Sequence, residues 1–154
     1  MTQYVLGEKS LKELKGVHPN IIKLVKRAIS ISEIDFSVHD GLRTLEEQKK
    51  LVAKGASKTM NSMHRKQSDG FGHAVDLVPY VNGELRWEWP LIWPIASAMS
   101  RASKDLGIPI TWGSVWDKKM HEYGSSVEQL KAEVEAYKKR HAGSDFLDGP
   151  HFQM

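Results

Sequence analysis

The first group of residues that could do chemistry lies in the middle of the chain, as Ser62-Met63-His64 followed by Gly72-His73-Ala74-Val75-Asp76-Leu77. The carboxylate of Asp76 stands among apolar neighbours, and burying it there without a partner would be costly. A metal ion would satisfy this charge, and so would an arginine or lysine side chain. The local sequence leaves both alternatives open.

The second group lies near the C-terminus, where Asp148 and His151 are three residues apart across a Gly-Pro turn. Such a turn can direct both side chains at one point. Two histidines and one carboxylate are a common ligand set for catalytic zinc, which keeps its fourth position for water. A further carboxylate close by can then act as general base on that water. Together the two groups predict a hydrolytic metal site built from histidine and aspartate.

The composition excludes several other kinds of chemistry. The 154 residues contain no cysteine, which rules out disulfide scaffolds, cysteine-ligated metals and thiol nucleophiles. Hydrophobic residues make up 40% and charged residues 27%, so the chain is neither disordered nor fibrous. The net charge of +3 suits an anionic partner without requiring one. No apolar run approaches the ~20 residues of a membrane-spanning helix, and the N-terminus shows no secretory signal pattern, so we expect synthesis in a cytoplasm.

The elements that must position these groups follow from apolar periodicity and turn residues. The pattern predicts helices over 10–15, 18–31, 44–55, 90–106 and 126–140. It predicts strands over 34–39, 74–79 and 108–112, a hairpin turn at Asn82-Gly83, and a polar loop over 56–72. We therefore expect a single α+β domain over residues 1–154, with a small antiparallel sheet flanked by helices.

At this point the chain resembles a known family. Ser62-x-His64, Gly72-x-Ala74-x-Asp76 and Asp148-x-x-His151 resemble the signature of the D-Ala-D-Ala carboxypeptidase/L-Ala-D-Glu peptidase family, zinc peptidases that act on bacterial peptidoglycan. The likeness is greatest to the single-domain L-alanyl-D-glutamate endopeptidases that tailed bacteriophages use as endolysins. Further matching motifs are Gly41-Leu42-Arg43-Thr44 with Gln48, Val78-Pro79-Tyr80-Val81-Asn82-Gly83, and Ile110-Thr111-Trp112-Gly113.

The resemblance implies a role for each site residue. His64, Asp76 and His151 would bind zinc in a cleft of a hedgehog/D-Ala-D-Ala peptidase-like fold. Asp148 would be the general base, and Arg43 would hold or polarise the scissile carbonyl. The residues expected on the substrate side are Ser62, Gln48, Trp112 and Trp116.

The resemblance also implies a biological role. The chain would cut the L-Ala–D-Glu bond of the stem peptide during host lysis. It would act as a monomer, without binding nucleic acid or inserting stably in a membrane. It would pass from the host cytoplasm to the periplasm and cell wall with the help of a holin. Two alternatives are a D-Ala-D-Ala carboxypeptidase or dipeptidase of cell-wall metabolism, and a non-enzymatic basic domain that binds wall polymer or nucleic acid around a structural metal.

One segment departs from the family pattern. Seven residues, Arg65 to Phe71, separate His64 from Gly72, more than the family has, and they look like an inserted polar turn. His73 lies nearer Asp76 in sequence and could replace His64 as a ligand. Strand alternation turns residue 73 away from the face of Asp76, however, so we predict that His64 is the ligand.

The other histidines, tryptophans and acids have simpler interpretations. His18 is expected at a helix start, and the histidines expected at the surface are His39, His121 and His141. The tryptophans Trp87, Trp89 and Trp93 are expected to pack in the core, with a stacking platform as the alternative. A second cation could bind at Asp69, Asp117 and Glu122, although their spacing matches no known calcium loop.

Overall fold

The computed structural model describes residues 3–57, 59–141 and 147–154. In these ranges the helices are α1 (Glu8–Glu13), α2 (Pro19–Ile31), α3 (Leu45–Ala53), α4 (Trp89–Leu106) and α5 (Val127–Arg140), with a 3-10 helix at Met120–Glu122. The strands are β1 (Phe36–Asp40), β2 (Ala74–Val81), β3 (Glu84–Leu85), β4 (Thr111–Trp112) and β5 (His151–Gln153). The predicted α+β class is confirmed, and each predicted helix is present with small shifts at its ends.

Strand β2 lies at the centre of the sheet. In the described part of the chain the strand order is β1-β2-β5-β4, with β3 paired to β2, and every named pair is antiparallel. The register sets Asp76 opposite Asp40 on one side and opposite His151 on the other. Because directly opposed residues bring their side chains within reach of each other, this register already joins two of the predicted ligands.

Local signals place the ends of the elements next to the site. Thr44 and Glu47 form a complete capping box, so α3 begins directly after Arg43. The turn between β2 and β3 has positive φ at both Asn82 (52°) and Gly83 (80°), as the hairpin prediction requires. The capping box and the hairpin turn each involve only a few neighbouring residues, which is why the sequence predicts them.

The hydrophobic core lies between one face of the sheet and the helices, with α2 and α4 packed together. On β2, Val75 and Leu77 are buried in this core, whereas Asp76 between them points to the opposite face. Strand alternation therefore separates the core from the site. In the described ranges no helix has both the length and the apolar character needed to cross a membrane.

Candidate metal centre and active site

The three predicted ligand side chains, those of His64, Asp76 and His151, converge on one point. The Nε2 atom of His64 lies 3.2 Å from Oδ1 of Asp76, and the Nδ1 atom of His151 lies 3.1 Å from the same oxygen. The two ring nitrogens are 3.3 Å apart. Asp76 and His151 come from the paired strands β2 and β5, and His64 comes from the loop that precedes β2.

A hydrogen bond on the side of the His64 ring that faces away from the cluster, here called the outer hydrogen bond, fixes its tautomer. His64 is buried, and its Nδ1 donates to the backbone carbonyl of Gly41 at 2.9 Å. The backbone carbonyl of His64 in turn accepts from the Arg43 N–H at 2.8 Å. Because Nδ1 carries the proton, the lone pair of Nε2 faces the cluster, which is the arrangement of a histidine ready to bind a metal.

The outer partner of His151 has the same effect with the nitrogens exchanged. Its Nε2 donates to Oε1 of Gln153 at 2.8 Å, so the lone pair of Nδ1 faces His64 and Asp76. Gln153 was missed by the sequence reasoning. Its signal was the spacing of two residues from His151 in a strand, which puts both side chains on one face.

The donor set and its geometry fit a zinc ion. Two nitrogen lone pairs that face each other across 3.3 Å, beside a carboxylate oxygen, repel one another unless a cation binds them. A tetrahedral ion with bonds of about 2.0–2.1 Å needs ligand atoms roughly 3.3 Å apart. The three separations of 3.1–3.3 Å meet that requirement. His64, Asp76 and His151 could therefore hold a metal ion, and two imidazoles with one carboxylate suit zinc.

Both alternatives for the buried carboxylate of Asp76 have a counterpart in the structure. Its Oδ1 faces the histidines, while Oδ2 lies 3.6 Å from Nη2 of Arg43. When no metal is bound and the histidines are protonated, burial acts to raise the pKa of Asp76, but hydrogen bonds and positive charge from His151 and His64 outweigh it and hold that pKa well below its ordinary value. Asp76 is thus ionised under all conditions in which the protein would work.

Asp148 lies beside this cluster, on the turn that leads into β5. Burial and the negative charge of Asp76 raise its pKa, against the opposing effects of His151, His64 and Arg43. The turn packs tightly on the end of β4: the Asp148 N–H donates to the Gly113 carbonyl at 2.7 Å, and a Cβ at Gly113 would lie 2.3 Å from the Asp148 carbonyl oxygen. A carboxylate with a raised pKa, held rigidly at a metal centre, suits a general base.

Two of the residues expected to contact substrate are fully buried. Gln48 and Trp112 are both 0% exposed. The Gln48 amide bonds to Arg43, and the Trp112 indole Nε1 donates to the Gly149 carbonyl at 2.8 Å. In this structure both side chains support the site from beneath instead of facing the cleft. Sequence motifs report which residue types are present but not which way they point, so this difference was not predictable.

The cluster opens into a cleft of about 490 Å³. The two other residues expected on the substrate side, Ser62 and Trp116, both line it, and the Trp116 ring packs against His151 with centroids 5.4 Å apart. Much of the cleft lining comes from the polar loop after α3, which the sequence analysis predicted only as a loop. The lining residues are Arg43, Gly55, Ala56, Ser57, Thr59, Asn61, Ser62, Met63, His64, Trp116, Asp148, His151 and Gln153.

Comparisons with known proteins give the family of the chain. The model of the phage L-alanyl-D-glutamate peptidase family matches residues 2–154. The chain belongs to this family. An L-alanyl-D-glutamate peptidase of Escherichia phage T5 is 31% identical over 115 residues, which are 74% of this chain and 82% of the phage T5 protein. The crystal structure of the L-Ala D-Glu endopeptidase ChiX of Serratia marcescens matches with a TM-score of 0.71 and 31% identity, covering 99% of this chain and 90% of that one.

The polar turn over residues 65–71 holds the second candidate histidine of this peptidase away from the cluster. Nε2 of His73 donates to Oδ2 of Asp69 in that turn at 2.7 Å, and the ring of His18 lies 5.3 Å from that of His73. The turn is closed by the Gln67 N–H, which donates to the Phe71 carbonyl at 2.8 Å. The structure thus places His64 in the cluster and His73 outside it.

The remaining expectations for this peptidase have mixed outcomes. Trp89 and Trp93 pack against the core, but Trp87 is 53% exposed with its ring edge-on to His39, so the core placement of Trp87 was wrong. Trp87 precedes α4 and so lies outside its apolar face. Of the acids considered for a second cation, Asp69 bonds to His73, and Asp117 forms an ion pair with Arg140 at 2.9 Å.

Proposed function

We propose that this chain is a zinc-dependent peptidoglycan endopeptidase that cleaves the L-Ala–D-Glu bond of the stem peptide. The observation that carries the proposal is the convergence of two histidine lone pairs and one carboxylate oxygen at the base of a cleft that Asp148 and Arg43 also line. Membership of the phage L-alanyl-D-glutamate peptidase family, and the names of the two relatives, support the choice of bond. The whole span 1–154 then forms one peptidase domain.

In this mechanism Asp148 moves the proton. Zinc bound by His64, Asp76 and His151 would polarise the scissile carbonyl and lower the pKa of a water to about 7. The carboxylate of Asp148 accepts the proton from that water as it attacks the carbonyl carbon, and later delivers it to the leaving amine nitrogen. Because burial and the charge of Asp76 raise the pKa of Asp148, its carboxyl can hold the proton between the two transfers.

Arg43 supplies fixed positive charge in the same mechanism. Its guanidinium is held by Asp40 through Nε at 2.6 Å and by Gln48 through Nη1 at 3.1 Å. A donor held in this way stabilises negative charge that develops on the carbonyl oxygen without having to reorganise, an effect that is typically worth about 3–4 kcal/mol. The small polar side chains of the cleft wall offer hydrogen bonds to a peptide backbone.

We also infer a setting for this activity. As an endolysin, the protein would be made in the host cytoplasm, reach the cell wall through a holin and act there as a monomer on peptidoglycan, with no nucleic-acid partner. Its net charge of +3 suits an anionic wall.

The test combines product analysis with an Asp148 variant. The zinc-loaded protein is incubated with purified peptidoglycan, and mass spectrometry is expected to find fragments with a new amino terminus at D-Glu. Asp148→Asn is expected to keep stoichiometric zinc and to lose activity about 10²–10⁴-fold, because the proton acceptor is removed. Full activity in that variant would refute the role of Asp148. Release of terminal D-Ala alone would refute the endopeptidase and favour the carboxypeptidase.

A further inference from the structure

We propose that Gln48 is a positioning residue. Its one buried side-chain amide holds in place both Arg43 and the cleft wall formed by the polar loop after α3. The proposal rests on the proposed function, because it assigns Gln48 a part in the same reaction. Gln48 lies in α3 and is fully buried beneath the cleft. It therefore acts on the substrate only through the residues that it contacts.

Both the amide nitrogen and the amide oxygen of Gln48 form hydrogen bonds. Its Nε2 group donates to Oγ of Ser57 at 2.8 Å and to the carbonyl of Thr59 at 2.5 Å. Its Oε1 accepts from Nη1 of Arg43 at 3.1 Å. Rotating the amide by half a turn would set its oxygen against the Thr59 carbonyl and its N–H groups against the guanidinium. The three partners therefore fix a single orientation of the side chain.

A neutral partner matters for Arg43. Its Nε bonds to Asp40 and its Nη2 lies near Asp76, so two carboxylates already offset its charge. The Gln48 oxygen and, at 3.4 Å, the Ser62 hydroxyl hold the guanidinium further without adding a third negative charge. The guanidinium is thus held in place while its charge remains able to stabilise a developing oxyanion.

The same amide ties the cleft wall to α3. The wall begins where the N–H groups of Ala56 and Ser57 bond to the Leu51 carbonyl at the end of that helix. At Thr59 the chain has moved away from the helix backbone, and there the Gln48 side chain makes the link. The Thr59 hydroxyl also accepts the Asn61 N–H at 3.0 Å. The position of Asn61 in the wall therefore depends on that of Thr59.

The experiment measures kcat and KM separately, on a soluble stem-peptide substrate with the zinc-loaded protein. Gln48→Met keeps the side-chain length but removes the donors and the acceptor. We expect KM to rise about fivefold and kcat to fall about fivefold to tenfold, the size expected for one or two lost hydrogen bonds. Zinc content should not change. Lys50→Met, at an exposed position of the same helix, is the matched control and should leave both constants unchanged.

A double-mutant cycle separates positioning from packing. In an Arg43→Met background, Gln48→Met should still raise KM, but it should reduce kcat no further because its effect on kcat acts through Arg43. An equal kcat loss in both backgrounds would overturn the proposal. So would constants for Gln48→Met within twofold of wild type.

Amide hydrogen exchange gives a reading that needs no activity. Gln48→Met should speed exchange over residues 59–63 and leave strand β2 unchanged, whereas Lys50→Met should change neither. Unchanged exchange over 59–63 would overturn the positioning role. If the wild-type protein hydrolyses no stem peptide, the proposed function fails, and the exchange result still decides whether Gln48 holds the wall.

Discussion

Within residues 3–57, 59–141 and 147–154 the structure shows two groups of two histidines and one aspartate, and one of these two groups has the arrangement of a metal centre. In the cluster of His64, Asp76 and His151 the side chains are 2%, 17% and 10% exposed. In the group formed by His18, Asp69 and His73 they are 23%, 40% and 18% exposed. Burial differs between the two groups, but the more important difference is where the protons are.

The two groups differ in whether the ring nitrogens that face the aspartate carry a lone pair or a proton. In the cluster, Gly41 and Gln153 accept the outer ring N–H groups, so two lone pairs point inward. In the second group, Nδ1 of His18 accepts the Asn20 N–H at 3.0 Å, so its proton is on Nε2, which faces Asp69 at 3.9 Å. His73 also directs a ring N–H at Asp69. For His18, His64 and His151, the hydrogen bond on the far side of the ring thus sets whether the near nitrogen offers a lone pair to a metal or a proton to a carboxylate.

The largest expected difference between the two groups is in zinc content. His64→Ala removes a nitrogen ligand and should abolish stoichiometric zinc binding, whereas His73→Ala should keep one zinc per chain. Metal analysis of the purified variants by mass spectrometry measures this directly. Retained zinc in His64→Ala, or lost zinc in His73→Ala, would reverse the assignment.

The second prediction concerns the outer hydrogen bond itself. Gln153→Leu removes the acceptor that holds the His151 tautomer and should weaken zinc binding about 10–100-fold. Gln153→Glu is the matched variant, because its carboxylate still accepts the His151 N–H and should keep the affinity close to wild type. Zinc affinities come from competition with a chromophoric chelator. Equal affinities in both variants would show that this bond does not orient the ring.

The third prediction compares a glycine at each group. Gly113→Ala would place a Cβ 2.3 Å from the Asp148 carbonyl, so the turn before β5 must shift, with an expected loss of about 1–3 kcal/mol in the free energy of unfolding and weaker zinc binding. Gly70→Ala, in the polar turn over residues 65–71, meets open space but has a φ of +88°, which costs about 1–2 kcal/mol. Urea unfolding and zinc titration measure both effects. Wild-type zinc affinity in Gly113→Ala would contradict the tight packing at the site.

The sequence predicts the features that a few neighbouring residues determine. It does not predict those that depend on pairing between residues far apart in the chain. The capping box at Thr44 and the hairpin at Asn82-Gly83 were predicted because a few neighbouring residues determine them. Strand β5 was not predicted as a strand, since its three residues are ordered by pairing with β2 and β4. The partner of His64 was also invisible, because a backbone carbonyl such as that of Gly41 has no residue-type signal.

The candidate site shows the same division. The types and order of His64, Asp76, Asp148 and His151 were sufficient to predict a metal site, and the structure brings these residues together. The directions of Gln48 and Trp112 were not predictable, because their burial depends on how residues 55–57 and 59–63 and the turn at Gly149 pack against them.

The smallest expected effect tests the ion-pair character of the second group. Burial acts to raise the pKa of Asp69, but hydrogen bonds from the Phe71 N–H and from His73 outweigh it and lower the pKa below its ordinary value. A carboxyl with a lowered folded-state pKa stabilises the protein above its unfolded pKa of about 3.9 and loses that contribution as the pH falls through the folded value. Asp69→Asn should therefore lower the urea midpoint slightly at pH 6, and this difference from wild type should shrink as the pH falls below about 4. The same difference at both pH values would show that Asp69 acts through the shape of the turn and not through its charge. At pH 6 the zinc content of the variant should stay at one per chain, since the group lies outside the cluster.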